Sequence, residues 1–170
     1  MRKLALSDEI LLSVDKAARY IGGEVNSVMK DKNKVDIRFA MCFPDVYEIG
    51  MSNLGMMILY NMFNEREDVW AERVFSPWLD LDKIMREKEI PLFALESQEP
   101  VKNFDFLGIT LGYEMCYTNV LQVLDLSHVS LLAKDREEDD PIVIGGGACA
   151  YNPEPIAEFF DMFYIGEGET

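Results

Sequence analysis

Four short stretches hold the residues whose types and spacing could do chemistry. They are FPDVYEIGMSNLG (43–55), GYEMCYTN (112–119), GGGACAYNPEP (145–155) and GEGET (166–170). Each mixes glycine with Asn, Ser, Thr or an acid, which is the composition of a tight turn, where glycine supplies positive φ and lets another backbone or a ligand come close. One such loop is only a turn. Four of them, each at the end of an apolar run, point to a shared cleft at one edge of a sheet. Glu167 and Glu169 could do acid–base work there, or face solvent or a following segment.

Other constellations are weaker. GGGACA (145–150) formally matches G-x-G-x-x-A, and Glu167 lies twenty positions after Gly147, where a ribose-binding acid would sit. The dinucleotide fingerprint opens a long helix directly after a first strand, whereas here Asn152-Pro153 intervenes and the helical stretch is short. Cys42, Cys116 and Cys149 each fall near the end of an apolar run and could converge on iron or zinc. Metal sites usually contain a close cysteine pair, which this chain lacks, and free cysteines are commonly buried as small hydrophobes. His128, the one histidine, closes the helical stretch CYTNVLQVLDLSHV, where it suits the helix dipole. No Ser-His-Asp or Cys-His arrangement can be assembled around it.

Apolar runs that read as strands position these loops: VDIRFAMCFP, VWAERVFSP, PLFAL, FDFLGITLGY, PIVIGGGACA and MFYIGEGE. Helical patterns alternate with them. Leu11, Leu12, Val14 and Ala18 open one that Gly22-Gly23 ends. MSNLGMMILYNMFNE follows, with Ser52 or Asn53 as cap and Leu54, Met57, Ile58, Asn61 and Met62 at helical spacing; WLDLDKIMREKE has Asp80 as its candidate cap. Strands of continuous apolar residues alternating with helices predict an α/β fold with an open, mainly parallel sheet and helices on both faces.

The 170 residues are 49% hydrophobic, enough for a single core of good size, and no apolar run approaches the roughly 20 residues of a membrane span. An odd number of widely spaced cysteines and the absence of a signal-peptide pattern predict a reducing, cytoplasmic setting. A net charge of −15 repels phosphate backbones and argues against nucleic-acid binding by this segment.

The segments ARYIGGEVNSVMKD, RFAMCFPDVYEIGMSNLGMMILYNMFN, ERVFSPWLDL, FDFLGITLGYEMCYTNVLQVLDL and PIVIGGGACAYNPEPIAEFFDMFYIGEGE together resemble the N-terminal region of a family of bacterial radical S-adenosylmethionine (SAM) proteins, from about Ala17 to Glu169. That region is similar to a cobalamin-binding domain, so the resemblance implies a Rossmann/flavodoxin-like, cobalamin-binding-like fold over residues 35–170, preceded by a helical and loop extension at 1–34. It implies a partner in the same parent chain: a radical SAM domain, expected beyond residue 170. There C-x-x-x-C-x-x-C holds a 4Fe–4S cluster that binds SAM; the motif does not occur in these residues. The chain is therefore expected to be an accessory part of a longer enzyme, with no catalytic residue of its own.

Cobalamin domains that supply a lower axial ligand use D-x-H-x-x-G, and DVYEIG matches with Asp45 and Gly50 but has Tyr47 in place of the histidine. Cobalamin binding without a protein ligand, or its loss, both follow. The resemblance assigns Asp45, Tyr47, Gly50, Ser52 and Leu54 to the first loop of a cofactor site, and Tyr113, Glu114, Thr118 and Asn119 to its middle. Gly145, Gly146 and Gly147 would admit a ligand or the partner domain, and Glu167 and Glu169 would meet the catalytic half. The alternative is a free-standing corrinoid- or nucleotide-binding module.

Overall fold

The computed structural model describes residues 3–168. Its centre is a five-stranded, all-parallel sheet in the order β2-β1-β3-β4-β5, formed by β1 (Ile37–Phe43), β2 (Val69–Phe75), β3 (Phe106–Thr110), β4 (Ile142–Gly146) and β5 (Met162–Phe163). This is the flavodoxin-like order of a doubly wound α/β fold. The helices are α1 (Asp8–Ser13), α2 (Tyr47–Gly50), α3 (Leu54–Glu65), α4 (Leu79–Lys88) and α5 (Tyr117–Leu126), with short 3-10 turns between.

Strand alternation divides the apolar residues between two layers. Met41 and Phe43 of β1 face α3, where they pack with Met56 and Tyr60. Ala40 and Cys42 face the opposite layer, with Leu81 and Met85 of α4 and Val120, Val123 and Leu124 of α5. The segment before β1 joins this second layer through Leu6, Ile10, Val14 and Tyr20.

Several elements depart from the pattern of the sequence for local reasons. Ser7 caps α1, which ends at Ser13 because the Asp15 amide donates to Asp80 Oδ2 at 2.8 Å and draws the chain away. Asp80 therefore works as a tether in the first turn of α4; the N-cap position is Trp78. Asn53 caps α3, its Oδ1 accepting from the Met56 amide at 2.9 Å. The buried face of α3 carries Met56 and Tyr60, and Leu54 and Ile58 point outward. Tyr60 sets this rotation: its hydroxyl accepts from the Val28 amide at 2.7 Å and its ring lies 4.7 Å from the Arg73 guanidinium. PLFAL forms no strand; it is buried irregular chain with a single antiparallel bridge, Phe93 to Pro100.

β2 is an edge strand, yet all of its residues are buried, Glu72 and Arg73 included. Side chains complete its outer edge. The Asn64 amide donates to the Ala71 carbonyl at 3.0 Å and accepts the Ala71 N–H at 3.1 Å. Glu96 Oε2 accepts the Arg73 N–H at 2.7 Å, and the Arg73 carbonyl accepts from Leu95 N at 2.9 Å. Lys30 Nζ donates to the Val69 carbonyl at 2.5 Å and to Asn64 O at 2.9 Å. An open edge is a template for aggregation, and here no outward backbone group between Val69 O and Arg73 O is left to pair with another chain.

Glu96→Ala is expected to cost about 3–5 kcal/mol in urea unfolding, because Arg73 would remain buried without its partner. Glu87→Ala, on the exposed side of α4, is expected to stay within about 0.5 kcal/mol. Equal small effects would show that the edge is not held by this pair.

Candidate functional site at the carboxyl edge of the sheet

Because all five strands run parallel, the loops leaving β1, β3, β4 and β5 collect at one edge, where ligands of open α/β sheets bind. The structure clasps two of these loops together. The Tyr113 hydroxyl donates to Asp45 Oδ2, and Asn119 Nδ2 donates to the Pro44 carbonyl at 2.9 Å. Asp45 Oδ1 accepts the Val46 amide at 2.7 Å, and its carbonyl accepts from Ser76 N at 3.0 Å, which ties in the loop after β2. The hydrogen bond to Asp45, with a smaller contribution from burial, pushes the Tyr113 phenol up to about 12, so it acts as a donor and not as a base.

Tyr47 takes no part in this clasp. Its hydroxyl donates to Glu24 Oε1 at 3.1 Å, and its ring meets Phe75 edge-on at 5.6 Å. Gly50 serves packing: a Cβ there would lie 2.2 Å from the Phe75 ring. Gly145 is similar, with Phe163 at 2.7 Å from a built Cβ. Gly147 has φ +98° and its Cβ position lies 3.0 Å from the Leu111 carbonyl oxygen, so only glycine fits. Gly146 and Gly112 differ from these. Apart from their chain neighbours, no atom lies within 4 Å of either Cβ position, so a side chain there would enter open space.

Ser52 donates to the Ile49 carbonyl at 2.8 Å, and Leu54, Glu114 and Thr118 are exposed. Glu167 is exposed and its carbonyl accepts from the Tyr164 hydroxyl at 3.0 Å. Glu169 lies outside the described residues. Around these positions stand exposed apolar side chains not singled out from the sequence, Met115 at 85% and Tyr151 at 69%. Neither has a periodic pattern to mark it, since each sits in a turn.

Among the described residues the three cysteines are free thiols, Cys149 only partly buried. Cys42 and Cys116 are buried, and burial pushes both thiols up, away from the thiolate a metal needs. Among the described residues no three His, Cys, Asp or Glu side chains are placed to hold a metal ion. On the β1–β2 side, Glu48 of α2 accepts from Lys16 at 3.1 Å and from Arg19 at 3.0 Å, which holds the N-terminal segment against the first loop. Partial burial opposes ionisation, but the Glu48 backbone amide, Lys16 and Arg19 together draw this carboxyl down to about 2.

Residues 55–170 match the family described as radical SAM proteins, N-terminal. The chain is 30% identical over 133 residues to "Uncharacterized protein MJ0966" of Methanocaldococcus jannaschii, a match covering 76% of this chain and 24% of that protein. It thus spans about a quarter of the length of the curated relative it matches. Among solved structures, a cobalamin-binding protein from Desulfitobacterium hafniense DCB-2 overlays with a TM-score of 0.41 at 16% identity, covering 80% of this chain and 55% of that one.

Two titrations check the site. Asp45→Asn is expected to bring the Tyr113 phenol from about 12 toward the ordinary tyrosine value of about 10, read by NMR of ring-labelled tyrosine; an unchanged titration would dissolve the clasp. Glu48, ordinarily near 4.5 and here about 2, binds protons more weakly folded than unfolded. Its contribution to stability is therefore full above about 4.5 and is lost as pH falls through about 2. The difference in urea midpoint between the protein and Glu48→Gln is expected to be constant above pH ~5 and to close toward pH ~2.

Proposed function

The chain belongs to the radical SAM family as an N-terminal region of such proteins, and from that premise we propose that it is the accessory domain of an iron–sulfur, SAM-dependent radical enzyme and carries no catalytic group itself. In the parent enzyme, the cluster and SAM would supply the radical chemistry from beyond these residues. One observation carries the reading: the carboxyl edge is finished for contact and not for chemistry. Asp45, Tyr113 and Asn119 are engaged with one another's loops, while Met115 and Tyr151 stand exposed beside them.

The residues present do not fit the cluster. Its three ligands must be close thiolates, and Cys42 and Cys116 are buried thiols. A corrinoid held through a side chain fits no better, because Tyr47, at the position of the ligating histidine, is turned into contact with Glu24 and Phe75. A second reading, a corrinoid lying on the edge without a protein ligand, is favoured by the open space at the Cβ positions of Gly112 and Gly146. Among the described residues no helix is long and apolar enough to cross a membrane, and the free thiols suit a reducing, cytoplasmic setting.

The full-length parent, reconstituted with iron and sulfide and reduced anaerobically, is expected to cleave SAM to 5′-deoxyadenosine. Residues 1–170 treated the same way are expected to give no cleavage and no cluster absorption. Cluster absorption in this chain alone would overturn the reading. Saturable binding of hydroxocobalamin to this chain, lost in Gly146→Leu, would establish the second reading instead.

A further inference from the structure

The charges of this protein are sorted by position. All sixteen Lys and Arg residues lie in segments 1–43, 66–110 and 134–140; none lies in 44–65, 111–133 or 141–170. The basic-free segments contain the loops that leave β1, β3, β4 and β5, and the short turn after β2 (76–78) has no Lys or Arg either. These loops still hold Glu114 and Glu154, which are exposed and make no ion pair among the described residues. Glu48, by contrast, is already paired with Lys16 and Arg19. The same edge also exposes apolar side chains: Leu54, Met115, Tyr151, Tyr164 and Ile165.

We infer that this acidic, apolar carboxyl face docks in cis onto a basic, apolar surface of the radical SAM domain of its own parent chain. The inference rests on the proposed accessory role and names the chemistry of the partner. Anionic occupants such as nucleotides or nucleic acid would meet the carboxylates of Glu114 and Glu154, while the cations nearest the first loop, Lys16 and Arg19, are already paired with Glu48. A second copy fits badly as well, since a twofold contact would press the same acidic patch against itself. The exit segment after β5 supports an intramolecular partner. It runs beside α3, with a Cβ position at Gly168 only 3.0 Å from Leu59 Cδ2, and the Tyr164 hydroxyl fastens the Glu167 carbonyl. A domain tethered at that point meets this face at high effective concentration.

The test is zero-length carbodiimide coupling of the full-length parent, mixed from isotopically light and heavy copies, with peptides read by mass spectrometry. Docking in cis gives amide links from Glu114 or Glu154 to lysines beyond residue 170 within one isotopic copy. The paired variant Met115→Lys with Tyr151→Lys, which removes the apolar contact and repels a basic partner, reduces these links about tenfold, as loss of roughly 1.4 kcal/mol would. Links joining light and heavy copies, links confined to residues 1–170, or no links from these glutamates overturn the inference. Loss of SAM cleavage with the links retained would refute the accessory-domain reading and leave the docking intact; cleavage with the links absent would do the reverse.

Discussion

The rest of the structure depends on how the outer edge of β2 is closed. A strand carrying Glu72 and Arg73 at its centre is an unlikely candidate for full burial, and burying an unpaired charge costs several kcal/mol. Here the charges become the closure. Arg73 Nε donates to Glu96 Oε1 at 2.7 Å, and Glu96 Oε2 takes the Arg73 amide as a neighbouring strand would. The other guanidinium nitrogens reach Ser27 at 2.8 Å and Asn26 and Glu24 at 3.2 Å. On the opposite face Arg38 bonds Glu72 at 2.5 Å and Glu99 at 2.6 Å, with its guanidinium 4.1 Å from the Phe104 ring centre. Residues 24–30 and 92–100 are thereby held over the edge, and the sheet ends at β2.

That closure has consequences for the functional face. Glu24 bridges Arg73 and Tyr47, so the lattice that seals β2 also holds Tyr47 apart from the Asp45–Tyr113 clasp. The first loop keeps Asp45 for the clasp with Tyr113. Of the glycines in the four loops, Gly50 and Gly145 are consumed by packing beneath phenylalanines, while the Cβ positions of Gly112 and Gly146 face open space. The carboxyl edge that results is a platform with an acidic and apolar surface.

The parallel α/β architecture was legible because VDIRFAMCF alternates and then runs apolar, FLGIT and PIVIGG are almost wholly apolar, and helical patterns lie between them; such runs need cover on both faces. The four loops were legible from their turn residues. The face of α3 was not, because Leu54, Met56, Met57, Ile58, Leu59 and Tyr60 place apolar residues nearly all round the helix, and periodicity cannot choose among them. The choice came from Arg73 and Val28, far away in sequence. PLFAL has the composition of a strand, but its backbone is engaged by Arg73 at one end and by Leu126 at the other. The Asp45–Tyr113 clasp joins residues 68 positions apart, and nothing local announces it.

The most direct measurement is hydrogen–deuterium exchange of residues 1–170 alone against the same residues in the full-length parent. If the carboxyl edge is the docking face of an accessory domain, amides in 112–117, 148–152 and 164–168 exchange about tenfold more slowly in the parent, and those of α4 are unchanged. Equal rates at the carboxyl edge, or slowing centred on α4, would contradict it.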